Sequence, residues 1–417
     1  MPAATPIPRG PTMLTLYTAT DLLTGPGCPV CRYAGEAADR YLAWFALEGH
    51  ADAVTVTRLC ASLGMCACHT RGLMSQPGAA RRLTAVYRYL TRAARECLAG
   101  RAARPGSCPA CEHDDGAARR AVETLLDGLS DGRVRDRCRD LGGLCIPHLG
   151  AAAARGDHQL IDWLAQTMTA AITASPPPTS WLAGISRDAG TRVTLRDALP
   201  AVALPGPGVC AACLAVGRAE RAGLAGLADS GDRSRPDRRL LLCSGHLGDL
   251  MVQARSAGAE SLLAWQADCL AAALIQPGCP PYRKSSPAGW RWLRSRRRRG
   301  TVFDDCSVCL VSYAAAQQAI DDLRGRLREA PEVLSAQMPL CIRHLLDLKA
   351  ADPRAGQVIT PGAIDRAELL IAELDQAFAV GTWAHRREAR GPEMTAWRRS
   401  ASFLDGGVLC GSLPRGT

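Results

Sequence analysis

Lysine is nearly missing from this chain of 417 residues: Lys284 and Lys349 are the only two, and arginine carries almost all the positive charge. That usage points first to GC-rich coding, as in a high-GC bacterium, and only second to function. Aromatic residues make up 5% of the chain, so any core must be built mainly from Leu, Ala, Val and Ile. No apolar run approaches the ~18 residues of a membrane span, and the first residues, MPAATPIPRGPTMLTLYTA, lack the apolar stretch of a signal peptide. The expectation is a cytoplasmic protein without a membrane span. Period-two alternation is almost absent, with TRVTL at 191–195 as the one short strand candidate. Enzyme signatures are missing too: there is no H-E-x-x-H, no G-x-x-x-x-G-K-[ST], no G-x-G-x-x-G after a strand and no recognisable nucleophile motif. The sequence therefore predicts a protein that is not an enzyme. A net charge of +10 is mild over this length.

Cysteine, by contrast, is abundant, at 19 residues. In a reducing compartment such thiols are metal ligands more often than disulfides. The stretch Cys66-Ala67-Cys68-His69 is one residue too short to attach a c-type haem, and its meaning comes from a repeat. CPVC at 28–31 precedes GMCACH, ending at His69. CPAC at 108–111 precedes GLCIPH, ending at His148. CAAC at 210–213 precedes LLCSGH, ending at His246. CSVC at 306–309 precedes PLCIRH, ending at His344. Each Cys-x-x-Cys is followed, after 29 to 34 intervening residues, by Cys-x-x-His. A leucine stands four residues after the histidine in three copies (Leu73, Leu250, Leu348), where the remaining copy has Ala152.

Read in chain order, the ligands form four Cys3His sets: Cys28, Cys31, Cys66 and His69; Cys108, Cys111, Cys145 and His148; Cys210, Cys213, Cys243 and His246; Cys306, Cys309, Cys341 and His344. Three thiolates and one imidazole close the tetrahedral sphere of Zn²⁺ and leave no position for water, which suits a structural ion. Four zinc ions per chain are expected. An iron–sulfur cluster is the main rival, and free thiol or disulfide chemistry a further one. Cys60, Cys97, Cys138, Cys269, Cys279 and Cys410 read as small apolar residues, with Cys60 and Cys138 close enough in sequence to border the sites. Cys68 reads as incidental, and His50, His113, His158 and His385, which lack partner spacing, as surface residues.

Helical periodicity follows the ligand pairs. Val122, Leu125, Leu126 and Leu129 form one apolar stripe; Leu310, Tyr313, Ile320, Leu323 and Leu327 form another. Beyond the histidines, Leu160, Ile161, Leu164, Met168 and Ile172 repeat the pattern. Ile364, Leu370, Ile371, Leu374 and Phe378 do so again, with Thr360-Pro361 as the start signal. The predicted fold is all-α: four tandem helical Cys3His metal-binding modules arranged as two pairs. Modules at 20–100 and 101–173 precede a Pro-rich linker at 174–204, marked by SPPPTSW. A third module spans 205–276, a basic linker 277–300, and a fourth module 301–386. A tail at 387–417, without clear periodicity, is either loose or docked.

The basic linker carries WRWLRSRRRRG. Arg296, Arg297, Arg298 and Arg299 could contact phosphate, with Trp290 and Trp292 available for stacking or a lipid interface. The plainer reading is a solvated linker in an arginine-rich chain. The favoured function is a zinc-bound structural and interaction scaffold with a protein partner. The alternatives are an iron–sulfur electron-transfer or redox-sensing protein and, less favoured, a nucleic-acid binder using residues 290–299.

The pattern C-P-x-C, an amphipathic helix, then G-x-C-x-x-H-x-x-x-L resembles an uncharacterised bacterial family, a domain of unknown function with tandem helical copies of this signature. CPVC with GMCACH and CPAC with GLCIPH match it best. CAAC and CSVC lack the proline, and the later copies lack the glycine before Cys243 and Cys341. The resemblance spans most of residues 20–385. It implies a helical fold and metal binding and no activity.

Overall fold

The computed structural model describes residues 11–25, 27–76, 79–101, 105–153, 155, 158–173, 210–229, 307–332, 340–380 and 391–406. The strand candidate at 191–195, both linkers, the arginine run, Leu250, Cys243, His246, Cys269, Cys279, Cys306, Cys410 and His385 lie outside them, as do the side chains of Cys68, Cys309, His158 and Ile172.

All regular structure among the described residues is helical. The helices are α1 (Met13–Leu22), α2 (Pro29–Leu47), α3 (Ala53–Ala61), α4 (Ala67–Met74), α5 (Ala79–Leu98), α6 (Pro109–Gly128), α7 (Gly132–Asp140), α8 (Ile146–Ala153), α9 (His158–Thr173), α10 (Ala211–Asp229), α11 (Ser307–Glu329), α12 (Ile342–Ala351), α13 (Pro353–Val380) and α14 (Ala396–Leu404). A 3₁₀ turn at Pro392–Thr395 leads into α14. The repeat is visible in this order. A long helix begins at each Cys-x-x-Cys (α2, α6, α10, α11). A short one begins at each described Cys-x-x-His (α4, α8, α12), followed by a long helix (α5, α9, α13).

Within the first half, α2 and α6 pack side by side and run in opposite directions. Cys28, Val30 and Ala34 at the start of α2 share a core with Val122, Leu125 and Leu129 near the end of α6. Leu42, Phe45 and Ala46 at the end of α2 share the other core with Ala110 at the start of α6. The ring of Tyr41 stacks on His113 at 4.8 Å between them. The helices that follow Cys-x-x-Cys in the second half repeat the arrangement: Val308, at the start of α11, lies against Gly223, late in α10. Small residues (Ala34, Ala118, Ala121) let the backbones approach in a protein poor in aromatics.

Two helices bind the halves together. α5 lies along α13 with Leu83, Val86 and Leu90 in one core with Ala363, Ala367, Leu370 and Leu374. Arg88 Nε and Arg92 reach Asp375 at 2.6 and 2.9 Å, and Lys349 Nζ donates to the Leu98 carbonyl at 3.3 Å. α14 rests against both, with Trp397 6.5 Å from the Tyr87 ring and Arg399 bonded to Glu373 at 2.7 Å. The residues of the tail from 391 to 406 are thus docked, and Trp397, Ala401, Phe403 and Leu404 are buried there.

Two details differ from the periodicity. Pro361 is inside α13 rather than at its start. Asp352 caps that helix by accepting from the Ala355 N–H at 3.1 Å, and Pro353 takes its first position, where a missing N–H is harmless. On the stripes, Leu310 and Phe378 are 47% and 43% exposed. Phe378 lies under the Arg88 guanidinium at 4.4 Å instead of in the core.

Candidate metal centres

Every ligand pair of the three described clusters occupies the first turn of a helix. Cys28, Cys66, Cys108 and Cys341 are N-cap residues, and in α2 and α6 the proline of C-P-x-C is the first helical residue. The carbonyls of Cys28, Cys66, Cys108, Cys145, Cys210 and Cys341 each accept the first helical bond, at 2.8 to 3.2 Å. The second ligand, three residues on, is then on the same face of the first turn. Unpaired N–H groups and the positive dipole end favour thiolate at these positions.

The glycine of G-x-C-x-x-H has a backbone reason. Gly64 and Gly143 have φ of 97° and 80°, and their N–H groups bond back to the carbonyls of Leu59 and Cys138 at 2.9 Å. This is a Schellman ending of α3 and α7, and it aims the chain into the ligand turn two residues later. Leu63 takes the preceding left-handed position in one copy and Gly142 in the other.

The structure brings the pairs together in an order that chain sequence did not predict. Cys28 and Cys31 meet Cys145 and His148; Cys66 and His69 meet Cys108 and Cys111; Cys210 and Cys213 meet Cys341 and His344. Among the described residues, each of these three Cys-x-x-Cys pairs is therefore completed by the Cys-x-x-His of its neighbouring copy, not its own. The cause is the antiparallel packing of α2 on α6, which places the start of each beside the other copy's second ligand turn. Of the fourth set, the side chains of Cys243, His246, Cys306 and Cys309 lie outside the described residues.

In the first cluster the Nδ1 of His148 is 3.6, 3.3 and 3.1 Å from the sulfurs of Cys28, Cys31 and Cys145, and Cys31 Sγ is 3.4 Å from Cys145 Sγ. In the second, His69 Nδ1 is 3.3, 3.6 and 3.4 Å from Cys66, Cys108 and Cys111, with 3.7 Å between Cys66 and Cys111. In the third, His344 Nδ1 is 3.3, 3.3 and 3.2 Å from Cys210, Cys213 and Cys341, with 4.0 Å from Cys213 to Cys341. Tetrahedral bonds of the usual Zn–S and Zn–N lengths give edges of about 3.8 Å between sulfurs and about 3.6 Å from sulfur to nitrogen. All four donor atoms of each cluster lie within 4.8 Å of one another, the span of one ion. A cubane cluster seats each ligand on a different iron and needs a wider set.

Crowding polarises the donors. Burial raises the Cys28 thiol, yet hydrogen bonds from Cys145, Cys31 and His148 hold it well below the ordinary range. Cys66 is pulled well down by hydrogen bonds from Cys108 and Cys111, and Cys341 by those from Cys210 and Cys213. Cys31 and Cys111 are pushed up by the same neighbours. Burial opposes charge on His148 and His344, but the sulfurs of Cys145 and Cys341 beside them raise both well above the ordinary imidazole range. One thiolate per cluster is thus favoured electrostatically, and a cation replacing the remaining protons would satisfy the whole set.

The other described cysteines behave differently. Cys138 and Cys97 are buried and Cys60 half-buried; burial pushes Cys60 up to about 11 and Cys138 up to about 12, values of inert thiols. Cys138 also feels the charge of Cys28, so it borders the first cluster. His113 is exposed and His50 half-buried. Among the described residues no helix is long and apolar enough to cross a membrane.

Comparisons with protein-family models, with curated proteins and with solved structures return no match.

Proposed function

We propose that the chain is a zinc-bound helical scaffold that carries four structural zinc ions and serves a protein partner rather than catalysing a reaction. The observation that carries this reading is the cross-copy ligand exchange, with three closed Cys3His sets spaced for one tetrahedral ion each. A closed sphere offers no site for substrate or activated water. It clamps two helix starts from different copies, so each ion acts as a staple between segments more than 100 residues apart in two of the three clusters. Bound zinc adds about 10 kcal/mol or more of apparent folding energy in small modules, which suits cores built largely of Ala and Leu. The ligands left over, Cys243, His246, Cys306 and Cys309, have the composition of a fourth set. They would follow the same exchange, because Cys210 and Cys213 take the ligands of the last copy. A cytoplasmic location and kinship with the bacterial Cys/His repeat family belong to the same proposal.

Elemental analysis of anaerobically purified protein tests it. Four zinc ions per chain and a colourless solution are expected. Iron with acid-labile sulfide and a brown solution would establish the iron–sulfur alternative instead.

A further inference from the structure

Within the tail, Gly406 lies against the third cluster. Gly406 is buried, and a Cβ built on it would come within 2.7 Å of Cys210 Cβ, 2.9 Å of Cys213 Sγ and 3.4 Å of Cys341 Cβ. Three of the four ligands of one site therefore press on a single backbone position. The first two contacts are closer than real Cβ atoms show, and both neighbours are held in place, one by its own helix start and one by its role in the ligand set. Only glycine fits there.

The segment leading to Gly406 is anchored on three sides. Arg399 is bonded to Glu373 of α13, Trp397 packs by Tyr87 of α5, and Asp405 Oδ2 is 3.1 Å from the Nε of Arg343. Arg343 stands inside the ligand turn itself, between Cys341 and His344. All four ligands of this cluster are buried, whereas each of the other two has at least one half-buried cysteine and a half-buried histidine.

We propose that Phe403–Gly406 is a strap that closes the third metal site, with Gly406 as the positioning residue that lets the backbone seal against Cys210 and Cys213, and the Asp405–Arg343 pair as its latch. This rests on the metal-binding reading of the clusters. The strap excludes water and attacking reagents from the thiolates, so this ion exchanges more slowly than the others. It also makes Phe403–Gly406 part of a site whose ligands come from residues far upstream.

The test is thiol footprinting of the full-length zinc-loaded protein with N-ethylmaleimide, read cysteine by cysteine by mass spectrometry. Gly406→Val should raise labelling of Cys210, Cys213 and Cys341 by about tenfold or more through local opening. Labelling of Cys28, Cys31 and Cys145 should stay at the wild-type rate. Arg343→Ala, which releases the latch without adding bulk, should produce the same site-limited change, and Gly132→Ala, at a position with nothing within 4 Å, should change nothing. Wild-type rates at Cys213 in both strap variants, or a rise shared equally by Cys28, would overturn the strap. Unprotected ligand cysteines at every site in the zinc-treated wild type would instead sink the metal reading itself.

Discussion

Cys31 Sγ and Cys145 Sγ lie 3.4 Å apart although 114 positions separate them in the chain. The residue that chain order pairs with Cys31 is Cys66, which belongs to another cluster. The consequence is that the first two copies cannot complete their metal sites separately. Each contributes one ligand turn to each of two Cys/His clusters, which lie near opposite ends of the helix pair α2 and α6.

Proton competition follows from the donor set. The ion must displace protons held by the raised thiols of Cys31 and Cys111, while Cys28 and Cys66 are already favoured as thiolates. Protons are therefore released on binding, and affinity rises with pH and falls on acidification. Competition with a chromophoric chelator between pH 6 and pH 8 should show apparent affinity growing by about tenfold or more per pH unit, since at least one proton leaves per ion. A pH-independent affinity would mean the thiols are not the ligands.

The join between the halves should depend on apolar packing more than on its ion pairs. Leu370 is fully buried where α13 meets α5, and Leu370→Ala should cost about 2–5 kcal/mol. Asp375 is 40% exposed beside Arg88 and Arg92, and Asp375→Ala should cost about 1 kcal/mol or less after solvent screening. Urea unfolding of the zinc-loaded protein measures both, and the reverse order would show that the charge network holds the halves.

Nucleic acid should not be a specific ligand. Many described arginines are engaged inside the fold: Arg82 on the Ala46 carbonyl, Arg137 on the Leu23 carbonyl, Arg88 and Arg92 on Asp375, Arg324 on Asp352. Replacing Arg296, Arg297, Arg298 and Arg299 with Ser should remove a weak, salt-sensitive attraction and nothing more. A sub-micromolar complex of wild type with DNA or RNA that persists at physiological salt would contradict the scaffold proposal.

Much of this architecture was legible in the sequence because its signals are local. Two-residue spacings mark ligand turns, the stripe Val122, Leu125 and Leu129 marks a buried helix face, and the scarcity of alternation agrees with the absence of strands among the described residues. The glycine before Cys66 and Cys145 was visible as a pattern, and its reason, a left-handed helix ending, appears only in the backbone angles. What remained hidden is non-local. All the Cys-x-x-Cys turns offer the same donors, so nothing in their spacing says which Cys-x-x-His each will meet; the antiparallel seating of α2 on α6 decides that. The docking of α14 was hidden for a similar reason: nine residues are too few to display a period, and Gly406 has meaning only beside Cys210 and Cys213.

The most direct test of the ligand exchange is the metal content of two double variants, each dialysed against a mild chelator. Cys31→Ser with Cys145→Ser strikes one cluster twice, and should lower the bound metal by one ion per chain, as either single change does. Cys31→Ser with Cys66→Ser strikes two clusters, and should lower it by two. If instead the Cys31 and Cys66 pair removed one ion and the Cys31 and Cys145 pair removed two, each copy would be closing its own site, and the exchange would be contradicted.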